Sequence, residues 1–355
     1  MKATYKKYIL DFKRPSGTSR GIMTHKETFF IILEQGKKIG IGECGILRGL
    51  SIDDVPSYEE KLKWTCDNIS LGKDGLWDAL MDYPSIQFGV EQAFLSLNSP
   101  DPFLLYPSAF TQNNRPIEIN GLIWMGDEHY MHQQIQQKLE QGFKCIKLKI
   151  GAIDFQKEIA LLKSIRNKYS EKEIELRVDA NGAFLPSEAM DKLVCLSPFN
   201  LHSLEQPIKA GNPCEMQGLC SNSPIPIALD EELIGVTLVT EKEKLLQTIK
   251  PEYIILKPSL IGGFKGSMEW INIAEKLNIK WWVTSALESN IGLNAIAQWT
   301  YTLGNPLPQG LGTGGLYNNN FDSPLTVENG SIRYANNKIW ETNLIQNVNV
   351  YRTRI

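Results

Sequence analysis

At 355 residues, 42% hydrophobic and 22% charged with a formal net charge of −3, the chain has the make-up of a globular protein with room for a large domain and a smaller one. No basic excess points to nucleic acid and no polybasic run to a membrane surface, and no apolar stretch approaches the roughly 20 residues of a spanning helix. Six scattered cysteines form no CxxC pair, and "MKATYKKYILDFKRP" lacks the apolar segment of a signal peptide, so reduced thiols and a cytoplasmic location are expected.

The first hundred residues read as α+β. "ATYKKYILDF", "ETFFIILEQG" and "KKIGIGECG" are predicted strands, joined by the loop "RPSGTSRG" and a turn at Gln35-Gly36. Helices are predicted around Tyr58 to Asn68 and Ile86 to Leu97, followed by a Pro-rich linker, "SPDPFLLYPSAFTQNNRP".

After the linker, short apolar runs alternate with amphipathic helices. "IEINGLIWMG", "CIKLKIG", "IELRVDANG", "LHSLEQP", "IPIALDEE", "YIILKPS", "WWVTSAL" and "GLGTGG" are eight predicted strands. Repeated β-then-α units call for a parallel sheet, and eight of them in this length argue for a closed barrel. No helix clearly follows the eighth strand. The expected fold is therefore a modified TIM barrel, (β/α)7β, over residues 113–324, with an α+β N-terminal capping domain over 1–112. The turns and short strands after the barrel are expected to return to that domain, through 325–355.

Polar residues recur at the predicted C-terminal ends of these strands. Lys149, Asp179, Glu205, Asp230, Lys257 and Ser285 follow one another at steps of 30, 26, 25, 27 and 28 residues. Each step is about one βα unit, which puts them on successive staves at the rim where barrel enzymes gather catalytic groups. Asp179, Glu205 and Asp230 would repel one another uncompensated, and a hard, oxygen-loving dication resolves that. Mg²⁺ fits best, and Mn²⁺ accepts much the same ligands. Within "KCIKLKIG", Cys145, Lys147 and Lys149 share one face of a strand, so Lys147 and Lys149 precede the trio and Lys257 follows it. A lysine beside a dication and other ammonium groups has its charged form disfavoured and becomes a usable base. The proton to take would lie α to a carboxylate able to absorb the charge as an enediolate.

With the Lys-x-Lys of "KLK", "RVDANG", "LEQP", "ALDEE" and "LKPSLIGG", the chain resembles the muconate-lactonizing subgroup of the enolase superfamily. "SALESNIG", "GLGTGGLY" and Arg177 make it most similar, within that subgroup, to the o-succinylbenzoate synthase family of menaquinone biosynthesis. The resemblance implies loss of water from a cyclohexadiene carboxylate bearing a succinyl tail, a small-molecule substrate. Asp179, Glu205 and Asp230 match metal ligands, and Lys149 matches the base. Lys257 matches the opposite lysine that stabilises the enediolate, with Lys147 tuning charge and Asn181 and Glu231 behind the ligands. Capping loops 16–21 and 44–51 should reach the substrate's distal part, where Arg20 or Arg48 would meet the succinyl carboxylate. Ser285, Gly312, Thr313 and Gly314 would hold that tail from the barrel side, Arg177 would also bind substrate, and Glu288 would orient neighbours.

Rival readings keep parts of this. An N-acylamino acid racemase or dipeptide epimerase would use both lysines as bases, but such epimerases usually carry an Asp-x-Asp after the eighth strand, and here only Asp322 stands there. A Schiff-base lyase has no use for three carboxylates, and a catalytically dead scaffold would have lost one of the charged positions. His129 and His132 fit a solvated helix face better than a metal site. The sequence leaves homo-oligomerisation open.

Overall fold

The computed structural model describes residues 1–18, 21–151 and 153–340. Its first sheet is antiparallel, in the order β1 (Lys2–Thr18), β2 (Gly21–Gln35), β3 (Lys38–Cys44). Alternate β2 side chains enter different cores. Phe29, Ile31 and Leu33 pack with Tyr58, Leu62 and Val90, whereas Phe30 and Ile32 join the large core shared with the barrel. That double burial explains why the strand reads as an unbroken apolar run. The turn falls at Gly36, φ 62°, as expected. The predicted loop "RPSGTSRG" is instead an extension of the hairpin: after a register irregularity between Asp11 and Ser16, Ser16 pairs with Met23 and Thr18 with Gly21. Arg20, at its tip, lies outside the described residues.

Helices α1 (Tyr58–Asp67), α2 (Gly72–Trp77) and α3 (Pro84–Asn98) complete this layer. α3 presses onto β3 so closely that a Cβ on Gly42 would stand 1.9 Å from the Gly89 carbonyl oxygen. The expected linker contains α4 (Ala109–Asn113) and is tied down, since Leu105 and Tyr106 donate their N–H groups to Gln298 Oε1 at 2.9 and 3.0 Å.

The barrel follows as β4 (Ile117–Glu118), β5 (Gly121–Ile123), α5 (Glu128–Glu140), β6 (Cys145–Lys149), α6 (Phe155–Arg166), β7 (Glu175–Asp179), α7 (Pro186–Leu196) and β8 (Ser203–Glu205). It continues as α8 (Pro213–Asn222), β9 (Ile227–Leu229), α9 (Val239–Ile249), β10 (Tyr253–Leu256), α10 (Gly263–Lys276), β11 (Lys280–Val283) and α11 (Asn290–Thr302). Strands β5 to β11 form one seven-stranded parallel sheet in sequence order.

The eighth stave is shorter than predicted. Gly310 bridges Thr284 and Gln309 bridges Ile119, with Gly310 N donating to Val283 O (2.8 Å) and Asn120 N to Gln309 O (2.9 Å). These bridges close the ring between β11 and β5, but "GLGTGG" has too few side chains to carry a pleat further. The stretch "IEINGLIWMG" also divides, because β4 pairs antiparallel with β13 (Ser331–Tyr334), itself paired with β12 (Leu325–Glu328). Just before them the chain touches the N-terminal sheet: Asn318 N donates to Asp11 O, and Tyr8 Oη to Asn319 O. Among the described residues no helix is long and apolar enough to cross a membrane.

Candidate active site

Three strands end on the residues singled out above: β6 on Lys149, β7 on Asp179 and β8 on Glu205, and these three stand opposite one another in register. Asp230 and Lys257 each follow the last residue of their strand, β9 and β10. One layer deeper, Lys147, Arg177 and Ser203 are in register. Ile146 and Leu148 point the other way, into the core beneath the helices, which leaves Lys147 and Lys149 on the barrel's inner face.

The charges interlock. Lys147 Nζ contacts both Asp179 Oδ2, at 2.9 Å, and Glu205 Oε2, while Lys257 Nζ contacts Asp230 Oδ2. Lys149 Nζ donates to Asp179 Oδ2 at 3.0 Å and to Asn181 Oδ1 at 2.6 Å. Asn181 adopts the left-handed conformation asparagine tolerates, φ 45°, and passes its Nδ2 donor to Glu231 Oε1 at 3.0 Å. Asp179, Glu205 and Asp230 are all 2% exposed or less. Burial pushes the Asp179 carboxyl up, but Lys147, Lys149 and Lys257 outweigh it and hold the group well below the carboxylate range. Glu205 goes the other way: burial, then the charges of Asp179 and Asp230, prevail over Lys147.

Such a set fits a hard dication chemically. Three oxygen-donor carboxylates stand on successive staves, and Glu205 Oε1 is buried with no hydrogen-bond partner among the described residues. In the arrangement described, ammonium groups supply the counter-charge, and no three His, Cys, Asp or Glu side chains surround a common point among the described residues. The lowering of lysine basicity is expected beside a bound dication; with carboxylates as the adjoining groups, Lys147 and Lys257 go the other way. Burial lowers each, yet the adjoining carboxylates, Asp179 and Glu205 for Lys147 and Asp230 and Glu205 for Lys257, raise both above the usual lysine value.

Above the charges lies a cavity of about 120 Å³. Lys147, Lys149, Asp179, Asn181 and Lys257 make its polar floor, and Met23, Leu47 and Leu50 from the N-terminal layer form its roof. Glu205 and Asp230 sit behind the lysines. Of the residues expected around the tail, Ser285, Gly312 and Thr313 line the cavity, and Gly314 does not. Glu288 lies beneath Ser285, accepting its hydroxyl at 2.6 Å and that of Ser259 at 2.5 Å. Arg177 does not reach the cavity. Its guanidinium donates to Glu175 Oε1 and Pro308 O and stacks on Trp282 in the layer below. Arg48 is likewise committed elsewhere, to Glu27 and Asp54.

Residues not singled out from the sequence complete the site. Gln206, at φ 42°, accepts the N–H groups of Asp230 and Glu232 through Oε1 and donates Nε2 to Glu232, fixing the turn that carries Asp230. Leu122, Trp124, Lys138 and Phe143 add a wall at the β5 side. His129 bonds to Gln133 on the exposed side of α5, as its solvated reading requires.

A family model described as enolase C-terminal domain-like matches residues 130–337. An o-succinylbenzoate synthase of Desulfotalea psychrophila is 44% identical, over 93% of this chain and 98% of that protein. The crystal structure of MenC from the same organism superposes with a TM-score of 0.83 at 41% identity, covering 94% of this chain and 99% of that one. A D-Ala-D/L-Ala epimerase of Cytophaga hutchinsonii is more distant, 26% identical over 80% of this chain and 79% of that protein. The chain belongs to the o-succinylbenzoate synthase family of the enolase superfamily.

Proposed function

We propose that the chain removes water from 2-succinyl-6-hydroxy-2,4-cyclohexadiene-1-carboxylate to give 2-succinylbenzoate, as a step of menaquinone biosynthesis in the cytoplasm. The observation that carries this reading is the rim itself. Lys149 and Lys257 stand on opposite sides of three carboxylate-bearing staves, under one cavity. Residues 1–112 with 325–355 would act as the cap, and 113–324 as the catalytic barrel.

Asp179, Glu205 and Asp230 would hold Mg²⁺, or Mn²⁺, which when bound supplies electrostatic stabilisation of a carboxylate losing its α-proton. Lys149, oriented by Asn181 and Asp179, takes that proton from the ring carbon. Lys257 remains an ammonium and stabilises the negative charge that develops on the substrate carboxylate. The electron pair of the broken C–H bond becomes the new ring double bond as the C–O bond breaks. The hydroxide leaves as water, taking a proton back from Lys149. Aromatisation drives the step, so the protein's task is to make the α-proton removable. Lys147, bonded to Asp179 and Glu205, orients both.

Mg²⁺-dependent turnover of this diene, measured beside α-proton exchange of N-succinyl amino acids in D₂O, tests the reading. Fast dehydration with slow exchange is expected. Rapid exchange without dehydration would move the activity to an N-acylamino acid racemase or dipeptide epimerase built on the same residues.

A further inference from the structure

The substrate assigned above carries two carboxylates, and the inference drawn here rests on that assignment. The rim accounts for the one on the ring. The one on the tail needs its own donor, because a carboxylate moved into a cavity without a cation or hydrogen bonds loses its hydration uncompensated. Of the donors first expected there, the described hydroxyl and guanidinium groups are spent, and the backbone N–H of Gly312 carries no charge to match a carboxylate. Thr313 Oγ1 donates to Ser285 Oγ at 2.9 Å, and Ser285 Oγ donates its single proton to Glu288. Arg48 is bound to Glu27 and Asp54.

Four lysines line the cavity: Lys138, Lys147, Lys149 and Lys257. The last three are ion-paired with rim carboxylates. Lys138 makes no ion pair and no side-chain hydrogen bond with any described residue. Burial alone lowers its affinity for a proton, as for a cation without a counter-charge. It sits in the last turns of α5, and the helix is clamped to the wall one turn earlier. There Gln134 accepts Trp124 N at 2.9 Å and donates to Trp124 O at 3.0 Å. The aliphatic stem crosses β5 at Gly121, where a Cβ would press on Lys138 Cγ and Cδ at 3.1 Å. The ammonium stands 4.8 Å from the Phe143 ring centroid, and Phe143 lines the cavity as well.

We propose that Lys138 is the cationic anchor for the carboxylate at the far end of the substrate's tail, which makes this a site for dicarboxylates gripped at separate ends. Lys138 is a specificity residue, not a catalytic one. It discriminates against substrates whose tails end in a neutral group, and its loss weakens binding more than chemistry.

The test measures binding of 2-succinylbenzoate and of its tail methyl ester to the Mg²⁺-loaded protein by calorimetry, in wild type, Lys138→Met and Lys138→Arg. Turnover of the diene is followed alongside. Wild type should bind the diacid about ten- to a hundredfold more tightly than the ester, as one charge-assisted hydrogen bond allows. Lys138→Met should bind both at the ester's level, with KM rising by a similar factor and kcat falling less, and Lys138→Arg should restore part of the preference. Lys138→Gln run in parallel keeps the comparison intact if the methionine variant fails to fold. A Lys138→Met protein that still prefers the diacid as wild type does would overturn the proposal. Wild type that does not dehydrate the diene would overturn the assigned function, and this inference with it.

Discussion

Replacing Glu43 by glutamine should loosen the N-terminal layer from the barrel, and the size of the effect follows from four hydrogen bonds. Glu43 is fully buried on β3. Its Oε1 accepts Thr28 Oγ1 at 2.8 Å and Ser289 N at 2.9 Å, while Oε2 accepts Ser289 Oγ at 2.5 Å and Gly292 N at 2.9 Å. A glutamine offers one oxygen and one NH₂. Whichever way it turns, the NH₂ faces a backbone donor at the start of α11 that has no freedom to rotate away. Thr28 Oγ1 has an alternative, since it already reaches Cys44 O at 3.1 Å. One stranded buried N–H costs about 1–3 kcal/mol. Loss of a negative charge at the first turn of α11 adds about 1 kcal/mol. Lys26, fully buried with no hydrogen-bond partner among the described residues, also loses one of the two carboxylates, with Glu288, that favour its charge. The first two contributions sum to about 2–4 kcal/mol, or a Tm lowered by about 3–5 °C in a chain of this size. Calorimetry measures the shift, and steady-state kinetics should show KM rising, because Ser289 adjoins the loop that carries Ser285. An unchanged Tm together with an unchanged KM would refute the claim that this carboxylate bolts the two layers together.

Asp53 anchors the loop bearing Leu47 and Leu50 by accepting Ser85 N and Oγ at 2.9 and 2.6 Å, and burial raises its pKa from 3.8 to about 6. An acid raised on folding is protonated more readily in the folded protein, so its contribution falls as pH climbs through that window, by about 3 kcal/mol in all. Asp53→Asn keeps an acceptor for Ser85 and should gain on wild type between pH 4 and pH 7 in denaturant titrations; a constant difference across that range would contradict the assignment. Chelation of the metal should abolish turnover yet leave the far-UV circular dichroism intact, with a loss of about 2–4 kcal/mol if the ion had been present far above its Kd. Lys147 and Lys257 already neutralise the carboxylates, so unfolding on chelation would count against the pairing described.

What could be read from the chain was what repeats. Lys149, Asp179 and Glu205 announce themselves because each is a polar residue closing an apolar strand, and the spacing of a βα unit brings them level. The eighth stave was overestimated because a glycine-rich run after seven strands has the position of a strand without the side chains to make one. Arg48 and Arg177 looked available because sequence shows a guanidinium but not its partners, Glu27 and Asp54 in one case and Glu175 and Pro308 in the other. Lys138 was passed over for the opposite reason. A lysine in a helix's last turn reads as a solvated charge that suits the helix dipole, and only the missing side chain at Gly121 gives its stem a path along the wall. Gln206 carries no pattern at all; its role arises from a left-handed backbone beneath Asp230.

The central claim is that the rim removes a proton α to a carboxylate through Lys149. The measurement that tests it most directly is turnover of the diene with deuterium at the α-carbon, in wild type, Lys149→Ala and Lys257→Ala. Wild type should show a primary isotope effect on kcat/KM, and Lys149→Ala should lose about 10²–10⁴-fold in kcat, the usual share of a general base. A Lys149→Ala protein that retained wild-type turnover and its isotope effect would contradict the account.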